Sequence, residues 1–194
     1  MVDRYRSFDD LANNARLGID YRIRFADRST ACVIIAPHGG WIEPNTSEIA
    51  EAIAKTDLLF YTFEVLNNGA HSDFHISSHR FDEPNAIDIV GKCATAVAIH
   101  GRQDDGREAV WLGGRATALC DAIGNSPHAA GFEAKPNKKL PGHNRTNICN
   151  RTLSGEGVQL EIPRSLRRQL ASDANFLRVF CQAVRNAILS SRRK

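Results

Sequence analysis

The sequence has 194 residues, and its 25 Lys and Arg against 22 Asp and Glu give a formal net charge of +3, which is too small to indicate nucleic-acid binding by charge alone. With 42% hydrophobic and 24% charged residues, the chain has the composition of one ordinary water-soluble domain. No run approaches the ~18 apolar residues of a membrane span, and the N-terminus lacks the apolar block of a signal peptide. We therefore predict a cytoplasmic protein that binds neither a membrane nor nucleic acid. We also predict that residues 1–194 form one domain and that the protein is a monomer.

Apolar runs alternate with amphipathic segments along the chain, a pattern typical of an α/β domain. Predicted strands, in chain order, cover residues 31–36, 58–65, 93–99, 109–112, 129–132 and 157–162, with a turn at 104–106. Predicted helices lie between the first two strands and over residues 115–123 and 173–191. These elements predict a single domain with a mixed, mostly parallel β-sheet flanked by helices.

The first predicted helix has a recognisable start. Asn45 is placed to cap it, with Glu48 at the third position and Ile49 and Ile53 on its buried face. A strand, a helix and a second strand in this order predict a βαβ unit with parallel strands.

The cysteines carry little functional signal. The five are odd in number, widely scattered and never spaced as Cys-x-x-Cys: Cys32, Cys93, Cys120, Cys149 and Cys181. We interpret them as small buried thiols in a reducing compartment.

Residues 134–156 are predicted to form a long loop, because they contain Pro, Gly and Asn and little apolar periodicity. Loops of this length tend to line functional sites. Between positions 135 and 151 the basic residues are accompanied by no acidic residue: Lys135, Lys138, Lys139, Arg145 and Arg151. The loop is therefore expected either to meet an anionic substrate or to form a solvated surface. The basic tail, Arg192 to Lys194, is interpreted as a solvated helix end.

Two predicted strands end in the same way. His38 follows the first apolar strand and His100 ends the third, and each is followed by glycine. In an open parallel sheet, ligand sites lie outside the carboxyl ends of the strands, so the two imidazoles converge there if their strands are near neighbours. Ordinary hydrogen-bonded histidines at strand ends remain the alternative.

Glu43 strengthens the case for a metal site. It lies five residues after His38, across a Gly-Gly turn, so the two side chains can bind one ion only from a turning loop. Two histidines and one carboxylate are the set that holds a catalytic zinc ion and leaves its fourth position open. A helix cap or a surface charge is the alternative for Glu43.

Glu161 is the candidate general base. It is a carboxylate in an otherwise apolar predicted strand, where burial raises its pKa and a nearby cation lowers it. A salt bridge to Arg164 or Arg167 is the alternative.

Other enzyme classes lack their motifs. There is no Gly-x-Ser-x-Gly elbow, no Walker loop and no Gly-x-Gly-x-x-Gly. His75 and His79 have the i, i+4 spacing of ligands on a helix, but their polar surroundings favour a loop, and a second metal site there is the weaker interpretation.

Five sequence segments, taken together, resemble the poly-γ-glutamate hydrolase family first known from bacteriophages, which is similar to the zinc carboxypeptidases in fold and site. The segments are APHGGWIEPNTSEIA, LNNGAHSDFHISSHRFDEP, AVAIHG, NICNR and GVQLEIPRSLR. The resemblance runs from about Asp20 to Arg167, which is most of the chain.

The resemblance implies a zinc-carboxypeptidase-like fold and one Zn²⁺ ion bound by His38, Glu43 and His100, with Glu161 as general base. It implies cleavage of γ-glutamyl amide bonds in an anionic polymer, and Asn150 and Arg151 as ligands of a substrate carboxylate. A structural ion pair is the alternative for Arg151. Trp41 and His79 depart from the family pattern, and their roles are left open together with that of His75.

Two other functions remain as alternatives. The first is a zinc deacylase, which would use the same residues to hydrolyse a small acidic amide, namely an N-acyl amino acid such as N-formylglutamate. A non-catalytic module would bind a polyanion through the basic loop, and its histidines would be structural.

Overall fold

The computed structural model describes residues 3–68 and 73–191, without the side chains of residues 127–129. The helices are α1 (Phe8–Ala12), α2 (Thr46–Ala54), α3 (Pro84–Gly91), α4 (Thr117–Ala129), α5 (Arg164–Ser172) and α6 (Ala174–Ser191). The strands are β1 (Tyr21–Ala26), β2 (Cys32–Gly40), β3 (Leu59–Val65), β4 (Thr95–Arg102), β5 (Val110–Gly114), β6 (Ala134–Pro136) and β7 (Gly157–Pro163), and one 3₁₀ turn covers Ile148–Asn150. The basic tail lies outside the described residues, so its interpretation stays a prediction.

The seven strands form one mixed sheet in the order β1-β3-β2-β4-β7-β5-β6. β3, β2, β4 and β7 are parallel to one another, whereas β1 runs antiparallel to β3 and β5 runs antiparallel to β7. The α/β prediction of a mixed, mostly parallel sheet is therefore confirmed, including the βαβ unit of β2, α2 and β3.

Hydrophobic side chains pack on both faces of this sheet. Along β2, Cys32 and Ile34 belong to the cluster that α2, α4, α5 and α6 cover, and Val33 and Ile35 belong to the cluster that contains α1 and α3. The strand is buried along nearly its whole length, as expected for a parallel strand with helices on both faces. No helix among the described residues is long and apolar enough to cross a membrane.

The strand predicted at 129–132 is wrong. Helix α4 continues as far as Ala129, and Gly131, with a φ of +87°, lies in the turn that follows it. The strand comes later, at β6, which pairs in parallel with β5. The predicted long loop 134–156 therefore begins with a short strand and contains the 3₁₀ turn.

The predicted cap of α2 is wrong in its chemistry. Asn45 does occupy the N-cap position, but its φ is 74° and its side chain caps no backbone N–H. Its amide instead donates to the carbonyl of Arg167 at 3.3 Å. Asparagine tolerates this left-handed conformation better than most residues do, and here it joins the start of α2 to α5.

Candidate metal centre

His38 and His100 lie at the point where the order of successive strands in the sheet reverses. β2 is followed by β3 on one side, and the chain then crosses to β4 on the other side. β2 pairs with β4 only as far as Ile35 and Ala98, so the carboxyl ends of the two strands are not paired with each other. Such a switch point forms the crevice in which open α/β sheets bind ligands.

A register shift in β2 helps to place His38. The pairing of β2 with β3 is interrupted between Ala36 and Gly39, where Pro37 has no N–H to donate. An irregularity of this kind bends a strand and redirects its side chains. Gly40 then turns the chain with a φ of 62°, and a Cβ there would lie 2.3 Å from the carbonyl oxygen of Val65, so this close approach needs glycine.

Three side-chain donors converge in the crevice. The Nδ1 atoms of His38 and His100 are 3.1 Å apart. Glu43 reaches them with both carboxylate oxygens, at 3.2 Å from His38 Nδ1 and 3.4 Å from His100 Nδ1. Its Oε2 also accepts the backbone N–H of Gly101 at 2.7 Å, which fixes the carboxylate against the end of β4.

The outer hydrogen bond of His38 leaves its inner nitrogen free to bind a cation. His38 Nε2 lies 2.8 Å from the carbonyl oxygen of Ile76, and a carbonyl only accepts, so Nε2 carries the proton and Nδ1 keeps its lone pair in the neutral ring. His100 Nε2 lies 3.3 Å from the hydroxyl of Ser78. Metal-ligating histidines are usually oriented by such a bond from the second ring nitrogen.

This donor set fits zinc. With bonds of ~2.0–2.2 Å, the ligand atoms of a tetrahedral zinc ion lie about 3.3 Å apart. The separation of 3.1 Å between the two Nδ1 atoms is close to that spacing, and Glu43 approaches the two nitrogens with different oxygens, Oε1 at 3.2 Å and Oε2 at 3.4 Å. Two imidazole nitrogens and one carboxylate are also the ligand types that catalytic zinc sites use.

His75 lies beside the same cluster. His38, Glu43 and His75 also offer ligand atoms that all lie within 4.8 Å of one another, and the rings of His38 and His75 are 4.3 Å apart. However, His75 Nδ1 is 2.9 Å from the carboxylate of Asp3, which also accepts the N–H of Ser77. Because Asp3 engages His75 Nδ1, whereas the Nδ1 atoms of His38 and His100 lie 3.1 Å apart, the His38–Glu43–His100 set is the better candidate.

The pKa values at the cluster reflect burial and charge together. Burial by itself raises the pKa of Glu43, but the two imidazoles next to it have the larger combined effect and lower that pKa. Burial lowers the pKa of His100, yet Glu43 raises it beyond its usual value. Burial lowers the pKa of His75 to about 4, and the neighbouring His38 acts in the same direction, so His75 is neutral at pH 7.

Glu161 lies next to His100 across the β4–β7 pair. Burial raises the pKa of its carboxyl group, and nearby His100 opposes that shift. Gln159 Nε2 donates to Glu161 Oε1 at 3.3 Å. The alternative for Glu161 was a salt bridge to Arg164 or Arg167. Among the described residues, neither arginine forms an ion pair with Glu161.

Arg167 instead joins three backbone segments that carry site residues. Its buried guanidinium donates to the carbonyls of Pro44, Arg102 and Ile162, which lie within two residues of Glu43, His100 and Glu161. A Cβ at position 101 would lie 2.4 Å from its central carbon, so the guanidinium packs directly on the backbone after His100. This role was not predicted from the sequence, where the only expected partner of Arg167 was the carboxylate of Glu161.

The remaining predicted residues are placed as follows. Asn150 is buried, and its amide donates to the carbonyls of Gly142 and Asn144 while its oxygen accepts backbone N–H groups. Arg151 is partly exposed, and its Nε donates to the carbonyl of Thr146 at 2.8 Å. Their proposed contact with a substrate carboxylate stays a prediction.

The two residues expected to depart from the pattern of the resembling family, Trp41 and His79, are exposed. Trp41 keeps 45% of its surface accessible on the turn between His38 and Glu43. His79 is exposed on the loop that carries His75. The structure therefore assigns neither of them to the donor cluster, and it places His75, not His79, beside His38.

Comparison with known proteins gives a consistent result over most of the chain. A family model described as "Poly-gamma-glutamate hydrolase" matches residues 5–182. The SPbeta prophage-derived UPF0714 protein YoqZ of Bacillus subtilis (strain 168) is 34% identical over 172 residues, which are 87% of this chain and 62% of YoqZ. The chain thus spans less than two thirds of the length of this relative.

Solved structures show the same fold. The structure of a bacteriophage poly-gamma-glutamate hydrolase matches with a TM-score of 0.93 and 28% identity over 98% of this chain and 99% of that chain. Zinc-free YndL matches with a TM-score of 0.91 and 26% identity over the same shares. More distant likenesses at 10–14% identity include amidohydrolase and carboxypeptidase structures and concern the fold alone. The expected zinc-carboxypeptidase-like fold is confirmed.

Proposed function

The chain belongs to the poly-gamma-glutamate hydrolase family, and from this premise we propose that residues 1–194 form one zinc-dependent hydrolase domain that cleaves γ-glutamyl amide bonds in poly-γ-glutamate. The observation that carries this proposal is the convergence of His38, Glu43 and His100 within 3.4 Å of one another, with Glu161 on the neighbouring strand. These three would hold one zinc ion. When bound, zinc supplies a Lewis acid that polarises a carbonyl and acidifies water.

Glu161 acts as the proton carrier of this reaction. Its raised pKa brings a carboxylate closer to the range in which it can take a proton from the attacking water and pass it to the leaving nitrogen of the amide. Gln159 holds one carboxylate oxygen, which leaves the other oxygen for that proton. Arg151 and Asn150 stay the proposed ligands of a substrate carboxylate, a task that suits a guanidinium and an amide.

The ligand set is tested by zinc analysis of purified variants. We expect His38→Ala and His100→Ala each to lose stoichiometric zinc, because each removes one of only three protein ligands. His75→Ala is the matched control, since it removes a neighbouring imidazole that is not assigned to the ion. If His100→Ala keeps its full zinc content and His75→Ala loses zinc, the third ligand is His75 and not His100.

The reaction is tested by chelation and zinc add-back, with the length of poly-γ-glutamate followed on a gel. We expect the wild-type protein to shorten the polymer, a chelator to stop it, and added zinc to restore it. A deacylase of N-formylglutamate would leave the polymer length unchanged. A non-catalytic polyanion-binding module would bind the polymer in a salt-sensitive way, and the chelator would have no effect.

A further inference from the structure

A basic cleft opens beside Glu161. It is a space of about 700 Å³ between the end of β4 with its following loop, residues 102–107, and the segment 135–140. Trp111 and Glu161 also line it. The cleft therefore includes the carboxylate that we propose as general base, whereas none of the three donor residues lines it.

Some of the positively charged side chains in this cleft have no carboxylate partner. Five cations line it, namely Arg102, Arg107, Lys135, Lys138 and Lys139. Arg102 is paired with Asp105, and Lys135 is paired with Glu133. Arg107, Lys138 and Lys139 form no ion pair with any carboxylate in the described parts of the chain, where an ion pair requires 4.0 Å or less between nitrogen and oxygen. The cleft thus presents three cations without a protein counter-ion.

The segment that carries the lysines is held in place. The N–H of Asn137 donates to the carbonyl of Leu112 at 2.6 Å. The side-chain oxygen of Asn137 accepts the N–H groups of Lys139 and Leu140 at 3.1 and 2.9 Å. This turn holds the backbone of both lysines against β5, so their side chains extend from a defined position.

Gln159 joins this segment to the candidate base. Its Nε2 lies 3.2 Å from the carbonyl of Leu140 and 3.3 Å from Glu161 Oε1, and its Oε1 accepts from Asn147 at 2.8 Å. One side-chain amide therefore bonds both to the lysine-bearing segment and to the carboxylate. The fold therefore fixes the position of the backbone of this segment relative to Glu161.

We propose that the basic cleft is an extended subsite that binds the α-carboxylates of consecutive γ-glutamyl units on one side of the scissile amide. This inference rests on the proposed function. A γ-linked chain keeps one free α-carboxylate in every unit, and several cations in one cleft attract such a polyanion more than they attract a short fragment. The indole of Trp111 holds two of these cations at the wall of the cleft, since the guanidinium groups of Arg102 and Arg107 lie 5.4 and 5.9 Å from the centre of its ring. The cleft thereby makes the enzyme select long chains.

The test compares KM for long poly-γ-glutamate with KM for tri-γ-glutamate in the variant Lys138→Ala/Lys139→Ala. We expect KM for the long polymer to rise about fivefold or more, since two cations are lost, whereas kcat and the KM for the trimer stay within about twofold. The KM of the wild type should also rise more steeply with salt than that of the variant.

The matched control is Lys55→Ala/Lys92→Ala, which removes two exposed lysines just before β3 and β4, at the opposite edge of the sheet. An unchanged KM for the long polymer in the cleft variant would overturn the proposal. The same rise in the control would overturn it as well, because net charge alone would then explain the effect. An equal rise in KM for the trimer would place the lysines at the scissile unit, and the proposal of an extended subsite would then be wrong.

A measurement of polymer binding distinguishes failure of this proposal from failure of the proposed function. If the wild type leaves the polymer length unchanged, the proposed function fails, and the cleft is then judged by the affinity of labelled poly-γ-glutamate alone. Weaker binding by the cleft variant than by the control supports a polyanion site. Equal binding by the wild type and both variants overturns it.

Discussion

Glu161 combines the burial and the contacts that a general base needs. We expect Glu161→Gln to keep its fold and its zinc and to lose about 10²- to 10⁴-fold in kcat, because glutamine has no basic carboxylate. Gln159 can still donate to the new amide oxygen, as it does to Glu161. The measurements are kcat, zinc content and the melting temperature.

Glu156→Gln is the control for that substitution, since Glu156 is exposed just before β7 and the charge change is the same. Wild-type activity in Glu161→Gln would mean that another residue is the base. Loss of zinc in Glu161→Gln would make this carboxylate a ligand, and Glu43 would then have to be reconsidered.

Single residues at strand ends were predictable, and their neighbours were not. The His-Gly pairs after two apolar strands placed His38 and His100 at one edge of a parallel sheet, and those strands are adjacent. His75 reaches the same cluster through a loop that Asp3 holds from 72 residues away. No local periodicity encodes such a contact, so His75 could not be preferred over His79 before the structure was known.

Elements with clear apolar runs were also predicted well, and short polar ones were missed. β2, β3, β4, β7 and α6 lie close to their expected positions, because each buries a long apolar stretch. By contrast α1, α3 and α5, and the edge strand β1, were not predicted. β1 carries Arg22 and Arg24, which pair with Glu64 on β3, so tertiary ion pairs accompany its pairing where hydrophobic alternation is weak.

Helix α5 contributes the residue that holds the strand ends together. We expect Arg167→Met to lower kcat about 10- to 100-fold, as losses of groups that support metal sites do. KM should change little, because Arg167 is buried and bonds to backbone carbonyls. The loss of these bonds should also lower the free energy of unfolding by about 1–3 kcal/mol. Steady-state kinetics and chemical denaturation measure the two effects.

Arg168→Met is the matched control, because Arg168 is the next residue of α5 and is exposed. Arg167→Lys keeps the positive charge but cannot reproduce the three bonds, so it should recover only part of kcat. If Arg167→Met and Arg168→Met have the same kcat at a temperature where both are folded, Arg167 has no positioning role.

The proposed metal joins parts of the chain that are distant in sequence. Its ligands come from the end of β2, from the turn before α2 and from β4, and these elements lie in the middle of the sheet. An ion that binds only the folded chain stabilises it, by about 2.7 kcal/mol when free zinc is 100 times its dissociation constant. For a domain of this size, 1 kcal/mol shifts the melting temperature by about 2–4 °C. Removal of zinc should therefore lower the melting temperature by about 5–10 °C.

Differential scanning calorimetry with zinc and with chelator measures this shift, and two variants make it specific. We expect His100→Ala to melt at the same temperature with zinc and with chelator, within about 1 °C, because it has lost a ligand. Lys92→Ala should shift as the wild type does, since Lys92 lies at the opposite edge of the sheet. A shift that persists in His100→Ala would show that zinc stabilises the protein from another site, and an unchanged wild-type melting temperature would contradict tight zinc binding at the switch point of the sheet.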